Sequence, residues 1–507
     1  MHWSEKIAQD VIAKRPNEAL YVVASGITPS GSVHIGNFRE FITTYMVGLA
    51  IQKAGKRVRM IFSWDDFDRF RKVPLIVANR GYEQHIGKPV TAVPDAFGSS
   101  SSYAQHFERE FEDGLEKMGL NEIPVEFRYQ SREYKSGRYN EKIIHALKKR
   151  KEIYDIITSF KTQGGEEGQR ETYYPVSVYC NTCGKDFTTV TSFNEKNNQL
   201  EYTCKCGDTH KIDVQKADNI KLVWKVDWPM RWQAEGVVFE PGGPDHMTEG
   251  GSYDVSSVIA RQIFGYQPPE SLEFGFVGIK GAGVKMSSSK GASVTPAQLL
   301  NIYEPEIIRW LFAKYTPRDF FEFGFDDTIV RHYQEYDRQH DAAPSHLSFS
   351  TLATVAPLAG FNRAVVKKMV GHDGGARFDK VKYWLENYAP EKIYKLRDTF
   401  NADFFATMTA TEKQTLEKLH EFLSRVIAGC RQAADCEAKQ PPGEQDIQQF
   451  LYSIINDPLA DKKINIAAQQ RYFKIFYNML FGRDDGPRLY LYLAVAPRDE
   501  VLKLLNC

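Results

Sequence analysis

Two short segments of this sequence combine residue types that suit phosphate chemistry. The first follows Gly26 and contains His34, Gly36 and Asn37 in the run HIGN. An imidazole and an amide three positions apart share one face of the first turn of a helix, where free N–H groups also attract anions. Both side chains can donate hydrogen bonds to phosphate oxygens that gain charge during phosphoryl or nucleotidyl transfer. A glycine-rich turn with a structurally satisfied histidine is the alternative interpretation.

The second segment, KMSSS, supplies a flexible lysine and three hydroxyls between glycines. Its residues are Lys285, Met286, Ser287, Ser288 and Ser289. Such a composition is typical of a loop that closes over a polyphosphate, with the lysine stabilising charge in the transition state. A solvated polar loop would have a similar composition. The two motifs start 251 positions apart, so other elements must bring them together.

A parallel sheet would place both segments at one edge. Short apolar runs predict five strands, at residues 19–25, 57–64, 125–129, 237–240 and 272–279. Helical patterns at residues 33–54 and 103–118 separate the first three strands, which favours an α/β, doubly wound, Rossmann-like domain. We assign all five strands to the same sheet. Ligands bind beyond the carboxyl ends of strands in such sheets, and both segments follow predicted strands.

Length and charge limit the possible classes of protein. A chain of 507 residues that is 42% hydrophobic exceeds a single core. Equal numbers of basic and acidic residues, 65 each, mean that a nucleic acid would have to bind a local patch. The run at residues 148–151 (KKRK) is one candidate, although a solvated helix face is the default interpretation. The sequence shows no signal peptide and no apolar run of ~18 residues, so we expect a cytoplasmic protein that does not enter a membrane.

Four of the seven cysteines lie within 27 residues. Cys180 and Cys183 form one knuckle, and Cys204 and Cys206 form a second. Four thiolates suit a tetrahedral zinc ion, and four protein ligands would make the zinc structural rather than catalytic. Because the second knuckle is Cys-x-Cys, His210 is an alternative fourth ligand.

The two phosphate motifs, in this order, resemble the paired signatures of class I aminoacyl-tRNA synthetases. Longer runs resemble class I lysyl-tRNA synthetases: SGITPSGSVHIGNFRE, SWDDFDRFRKVP, VWKVDWPMRW, FEPGGPDH and GGSYD. The resemblance is strong over about residues 15–320 and weaker towards the C-terminal end. It implies ATP-dependent activation of L-lysine to lysyl-adenylate, assisted by Mg²⁺, and transfer of lysine to tRNA(Lys).

The resemblance also implies roles for individual residues. Catalysis would depend on His34, Asn37 and Lys285. The residues implied to bind ATP are Ser30, His34, Gly36, Asn37, Asp245, Lys285, Met286, Ser287, Ser288 and Ser289, with Asp245 on the ribose. Gly26 and Thr28 would contact the backbone of the lysine substrate, and Trp224 and His246 would line its pocket.

Residue chemistry agrees with lysine as the substrate. A glutamyl pocket needs a fixed arginine, and the turn before His34 (ASGITPSG) has none. A lysine pocket needs a carboxylate and apolar walls. We assign the carboxylate to Glu40, and the walls to Trp224, Trp228 and Phe274. The family often has a tyrosine at the position of Phe274, so one hydroxyl contact would be missing.

Three acidic residues after the second strand have no single assignment from the sequence. Asp65, Asp66 and Asp68 could bind the lysine amine or could organise a turn with Arg69 and Arg71.

The resulting division of the chain has five regions. We predict half of the catalytic domain at residues 1–130, the cysteine-bearing insertion at 131–218, the second half at 219–295, a stem-contact region at 296–345 and an α-helical anticodon-binding domain at 346–507. Three alternatives remain: another class I specificity, glutamyl-like; a nucleotidyltransferase that does not use tRNA; and a non-catalytic tRNA-binding homologue.

Overall fold

The computed structural model describes residues 1–161, 168–280, 294–340, 347–431, 444–456, 459 and 461–506. The chain forms two compact units. The first contains Met1–Leu300 and Pro305–Phe323, and the second contains Asn301–Glu304 and Gly324–Cys507. The division into five regions stays a prediction. The second phosphate motif, Lys285 to Ser289, lies outside the described residues.

The strands of the first unit belong to four small sheets. In chain order they are β1 (Tyr21–Ile27), β2 (Val58–Trp64), β3 (Val125–Tyr129), β4 (Val176–Val178), β5 (Thr188–Asn194), β6 (Gln199–Cys204), β7 (Thr209–Asp213), β8 (Ile220–Leu222), β9 (Val237–Phe239), β10 (Val277–Ile279) and β11 (Phe321–Phe323).

The helices of the first unit connect and cover these strands. They are α1 (Trp3–Lys14), α2 (Ile35–Lys53), α3 (Tyr103–Lys117), α4 (Gln130–Lys135), α5 (Asn140–Lys148), α6 (Arg150–Ser159), α7 (Gln169–Thr172), α8 (Trp224–Glu235), α9 (Pro244–Met247), α10 (Ser252–Gln262), α11 (Pro296–Leu299) and α12 (Pro305–Lys314). Short 3₁₀ turns lie at Leu75–Val77, Tyr82–His85 and Val90–Ala92.

The central sheet has four parallel strands in the order β3-β2-β1-β9. Parallel neighbours require crossover connections, which α2 and α3 provide between the first three strands. The inner residues of β1 are buried apolar side chains, as expected for a strand that is covered on both faces. The predicted strand at residues 125–129 has the observed bounds of β3, and the other predicted strands of this sheet are confirmed to within two residues.

The prediction for residues 272–279 is confirmed only in part. Glu273 bridges Gly242 in parallel, just beyond β9 of the central sheet, but β10 pairs with β11 in a separate two-stranded parallel sheet. The chain changes partner at Gly275, whose N–H donates to the carbonyl of Pro317 at 2.8 Å. A Cβ at Gly275 would lie 2.6 Å from the Arg318 carbonyl oxygen, so only glycine fits this crossing.

The cysteine-bearing insertion is a small antiparallel module. It contains the three-stranded sheet β5-β6-β7 and the pair β4-β8. Its buried Leu200 and Tyr202 belong to the same apolar cluster as Phe67 and Val255, which lie outside the insertion. The insertion therefore shares a core with the first unit instead of forming one alone.

The second unit is almost entirely helical among its described residues. Its helices are α13 (Thr328–Gln339), α14 (Phe349–Leu358), α15 (Arg363–Val370), α16 (Gly375–Tyr388), α17 (Ala402–Thr407), α18 (Ala410–Arg431), α19 (Glu444–Ile455), α20 (Lys462–Phe481), α21 (Leu489–Val495) and α22 (Arg498–Leu505), with a 3₁₀ turn at Pro390–Lys392. Leu416, Leu419 and Leu423, which recur at helical spacing in the sequence, lie in its buried core. Over the described part of the chain, no helix has the length and apolarity needed to cross a bilayer.

Candidate active site

His34 occupies a different position from the one that its spacing predicts. It lies one residue before α2 as the N-cap, and its Nδ1 accepts a hydrogen bond from the Asn37 N–H at 3.3 Å. The prediction that both side chains project from the first helical turn is therefore wrong for His34. Because Nδ1 accepts, the neutral imidazole carries its proton on Nε2, which makes that nitrogen a donor. No acidic residue lies in the first turn of α2 to repel an anion.

Both flanks of the second phosphate motif are tied to the start of α2. On one side, the buried Arg39 donates to the carbonyl of Phe276 at 3.2 Å. On the other side, the Ile35 N–H donates to the carbonyl of Val294 at 2.9 Å. The described residues on both sides of the second phosphate motif therefore contact the start of α2, the helix that His34 caps.

Glu40, also on α2, faces the end of β1. Its Oε1 accepts a hydrogen bond from the Gly26 N–H at 3.1 Å. Burial raises the pKa of this carboxyl to about 8, and the negative charges of Glu240 and Asp65 add to the effect. The group lies six residues after His34, about 9 Å along the helix axis. The N-cap imidazole and a half-buried carboxyl therefore belong to the same helix.

Glu240 is a second buried carboxyl, and it directly follows β9. The Trp232 Nε1–H donates to its Oε2 at 2.8 Å. Burial raises the pKa of Glu240 to about 7, opposed by the indole N–H groups of Trp228 and Trp232. The Trp228 N–H nevertheless lacks a partner at hydrogen-bond geometry, so it acts on Glu240 from a longer distance.

The positive charge of Arg231 opposes the rise in the pKa of Glu240. Arg231 donates to Asp65 at 2.6 Å and to Asp227, and all three side chains are buried. Tyr134 donates its hydroxyl to the same Asp227. Burial raises the pKa of Asp65 to about 6 even though Arg231 opposes the shift.

Two aspartates in the turn after β2 have different partners. Asp66 accepts from the Ser131 N–H at 2.7 Å and from its hydroxyl, so it organises the turn. Asp68 accepts from the Thr28 hydroxyl at 2.9 Å and from the Lys221 ammonium at 2.5 Å. The observed partners are thus Ser131, Thr28 and Lys221, and a role of these aspartates in binding the lysine amine stays a prediction.

Two indoles and an imidazole form the wall of the site. The rings of Trp224 and Trp228 stack with centroids 5.0 Å apart, and the ring of His246 lies 5.7 Å and 5.8 Å from them. Within the described residues, Trp224 Nε1 and His246 Nδ1 are buried atoms without a hydrogen-bond partner. Buried polar atoms of this kind are expected where a ligand supplies the partner.

The remaining predicted residues lie around the rim. Asp245 is exposed on α9, the short helix that also carries His246. The ring of Phe274 packs against Gly243, where a Cβ would lie 3.5 Å from the ring. Ser30 is exposed, and its carbonyl accepts from the Tyr103 hydroxyl at 3.0 Å.

The four predicted cysteines meet in the insertion. All four sulfur atoms lie within 4.8 Å of one another, and two pairs are 3.7 Å apart: Cys180 with Cys206, and Cys183 with Cys204. A zinc ion with Zn–S bonds of ~2.3 Å requires sulfur atoms about 3.8 Å apart, so this set fits. His210 instead contacts the Thr182 hydroxyl at 3.0 Å.

Three of the four residues in the basic run at 148–151 make contacts within the protein. Lys149 pairs with Glu152, and Lys151 pairs with Glu171. Arg150 donates to three carbonyl oxygens at the end of α7, those of residues 170, 171 and 173. These contacts favour a structural role over a nucleic-acid surface.

Several residues of the site had no role assigned from the sequence. They are Tyr134, Lys221, Asp227, Arg231 and Glu240. Glu240 and Asp227 lie inside quoted motifs, FEPGGPDH and VWKVDWPMRW, so their acidity next to apolar residues was the available signal. The pairing of Arg231 with Asp65 joins residues 166 positions apart, which no local pattern reveals.

Comparison with known proteins identifies the class. The sequence profile of the family described as tRNA synthetases class I (K) matches residues 1–356. The chain belongs to this family.

Two relatives match along nearly the whole chain, and a third matches about two thirds of it. A lysine–tRNA ligase of Streptomyces coelicolor is 33% identical over 99% of this chain and 98% of its own length. The lysine–tRNA ligase of Borreliella burgdorferi is 32% identical over 100% of this chain and 99% of its own. That of Treponema pallidum is 41% identical over 68% of this chain and 64% of its own.

Proposed function

We propose that this protein activates L-lysine with ATP and transfers it to tRNA(Lys). Family membership and the full-length similarity to lysine–tRNA ligases support this function. The sheet order β3-β2-β1-β9 supports a doubly wound, Rossmann-like catalytic domain that the insertion interrupts.

The excess of carboxyl groups at the sheet edge is the observation that carries the substrate assignment. Five carboxyls, on Glu40, Asp65, Asp68, Asp227 and Glu240, form one interacting group in the described structure, and two cations, Lys221 and Arg231, belong to it. A buried negative excess is costly unless a cation balances it.

The ammonium of a bound lysine would supply that cation, with Glu40 and Glu240 as its nearest acceptors. The Trp224 and Trp228 rings would cover the methylenes of the substrate. A glutamate side chain would add another negative charge to the same place, which disfavours the glutamyl-like alternative.

The chemical step needs positioning and charge stabilisation more than proton transfer. The lysine carboxylate, already an anion, attacks the α-phosphorus of ATP, and the bond to the β-phosphate oxygen breaks to release pyrophosphate. In our proposal His34 Nε2–H, the Asn37 amide and the Lys285 ammonium stabilise the growing charge on the phosphate oxygens. Mg²⁺, which accompanies the triphosphate, neutralises part of its charge.

The remaining residues of the nucleotide site keep the roles that the resemblance implies. Ser30, Gly36 and residues 286–289 would contact ATP, and Asp245 would accept from the ribose hydroxyls. Gly26 and Thr28 would hold the lysine backbone, with His246 and Phe274 at the edge of the pocket. A ribose hydroxyl at the tRNA end then attacks the lysyl carbonyl, and AMP leaves.

The cysteine cluster is proposed to hold one structural zinc. Four thiolates complete a tetrahedral shell, so the ion contributes to folding and not to catalysis. Purified protein should contain about one zinc per chain. A metal-free preparation with full activity and unchanged melting temperature would remove this assignment.

The helical unit is proposed to bind the anticodon region of the tRNA. A groove of about 560 Å³ runs along α20, lined by the amides of Gln469 and Gln470 and by the rings of Phe473 and Tyr477. Unstacked RNA bases are bound by aromatic rings together with polar side chains. Phe473→Ala should raise the KM for tRNA(Lys) and leave lysine-dependent pyrophosphate exchange without tRNA unchanged.

Pyrophosphate exchange with each of the twenty amino acids tests the function. Exchange that depends on lysine, followed by tRNA(Lys) lysylation, is expected. Exchange with glutamate but not lysine would establish the alternative specificity. Exchange without any lysylation would indicate a nucleotidyltransferase. A failure to exchange with any amino acid, with or without tRNA, would indicate a non-catalytic homologue.

A further inference from the structure

The cysteine-bearing insertion holds the turn that follows β2. The Tyr179 hydroxyl donates to the carbonyl of Phe67 at 2.7 Å, and the Lys221 ammonium contacts Asp68 at 2.5 Å. Tyr179 directly precedes the first metal-site cysteine, Cys180. Both contacts therefore come from the module that contains the proposed zinc site.

A third contact extends the same interface by one residue. Arg69 lies 3.6 Å from Asp186, and its guanidinium lies over the ring of Phe187 at 5.2 Å. Three consecutive residues after β2 are therefore each held by the insertion. The turn cannot shift unless the insertion shifts with it.

The contact between Lys221 and Asp68 connects the insertion with Thr28, a residue of the proposed lysine pocket. Asp68 receives Lys221 on Oδ1 and the Thr28 hydroxyl on Oδ2. Lys221 lies in β8, opposite Ser177 of β4, and is only 8% exposed. Burial opposes its charge, but the carboxylates of Asp68, Asp227 and Asp65 together hold its pKa above the ordinary value. The pair is therefore a fixed, charged contact in the interior.

We propose that Lys221 is a positioning residue for amino-acid recognition: through Asp68 it fixes the Thr28 hydroxyl, so that the insertion sets the affinity for lysine. This inference rests on the proposed function, in which Thr28 contacts the substrate backbone. Lys221 touches no reacting atom in this arrangement, so its loss should act on the KM for lysine and much less on that for ATP.

The Lys221→Met variant tests the proposal. Methionine keeps an unbranched side chain but removes the cation, so that the Thr28 hydroxyl alone holds Asp68. In lysine-dependent pyrophosphate exchange we expect the KM for lysine to rise about tenfold and the KM for ATP to change less than about twofold. Lys221→Arg, which keeps the charge, should recover part of the affinity.

Lys211→Met is the matched control. Lys211 lies in the same module and pairs with Glu201 at 2.8 Å, but this pair is at the surface. The Lys211→Met substitution should leave the KM for lysine and the KM for ATP unchanged. If Lys221→Met does not fold, the double variant Lys221→Met/Asp68→Asn removes both charges and should still show a raised KM for lysine.

Two results would overturn the inference. An unchanged KM for lysine with a lower melting temperature would make Lys221 a purely structural residue. A lower KM for lysine would mean that its ammonium competes with the substrate. Both results presuppose that the unmodified protein exchanges with lysine. If it does not, the proposed function itself fails, and the two failures are thereby distinguished.

Discussion

The two ends of the candidate active site are built in different ways. At the amino-acid end, buried charges from β8, α8 and the turn after β2 satisfy one another, except for the negative excess at Glu40 and Glu240. At the nucleotide end, the start of α2 presents hydrogen-bond donors and contains no acidic residue in its first turn. Under the proposed function, one helix would therefore contribute to binding a cation at one place and an anion about two turns away.

Replacing His34 should break the nucleotide end with the largest effect. His34→Ala removes the proposed Nε2 donor and the helix cap, and we expect kcat for lysine-dependent pyrophosphate exchange to fall about 10²- to 10³-fold. His34→Asn can restore the cap, but its shorter side chain cannot place a donor where the imidazole Nε2–H lies. Its melting temperature should therefore approach that of the unmodified protein while kcat stays low. Normal kcat in His34→Asn would contradict the assigned role.

Replacing Glu40 should break the amino-acid end. In Glu40→Gln the amide oxygen can still accept from the Gly26 N–H, so the local structure survives while the charge is lost. We expect the KM for lysine to rise about 30- to 100-fold, at the lower end of the range for truncating one partner of a buried charge pair, and the KM for ATP to stay nearly constant. Glu83→Gln, an exposed substitution, serves as the control. An equal rise in both KM values would show that Glu40 has no selective role.

Lysine binding should strengthen as the pH rises. The pKa values of Glu40 and Glu240, about 8 and about 7, are raised by burial above the ordinary ~4.3, so the free protein holds protons that a bound ammonium would displace. Without lysine, these groups make stability fall as the pH increases from ~4.5 through about 8, because the folded state binds more protons than the unfolded state. Saturating lysine should therefore raise the melting temperature more at pH 8 than at pH 6. A larger shift at pH 6 would refute this coupling.

Adding one hydroxyl at the amino-acid end should raise the affinity for lysine, and this is the smallest of the expected effects. Phe274→Tyr introduces the group that the family often has, and one hydrogen bond contributes about 0.5–1.5 kcal/mol. Lysine affinity, measured by calorimetry, should rise about two- to tenfold. An unchanged affinity would mean that the Phe274 ring edge does not face the substrate.

Sequence patterns predicted local elements well and partners poorly. Periodic apolar residues placed β1, β2, β3 and α2, because buried strands and helices leave a local signature. Only the second part of the run at residues 272–279 was mispredicted, because β10 pairs with β11, 44 positions later by register, which no local pattern reveals. The cysteine set was predictable since four soft ligands at short spacing have few other uses.

The electrostatic network of the site was only partly accessible from sequence. Glu40 follows from its position on α2, but its raised pKa depends on Glu240 and Asp65, which come from other strands. The cap made by His34 depends on where α2 begins, and helix starts are uncertain by one or two residues in any pattern. That single position changed the expected geometry of the imidazole.

The spacing of the four thiols has a consequence for handling the protein. Sulfur atoms 3.7 Å apart need only a small rotation to reach the ~2.05 Å of a disulfide bond. A bound metal would shield these thiols from air, and chelation would leave them open to oxidation. The same module contacts Phe67 and Asp68. Under the proposed function, oxidation of these thiols would therefore lower the affinity for lysine without changing any residue that contacts the substrate.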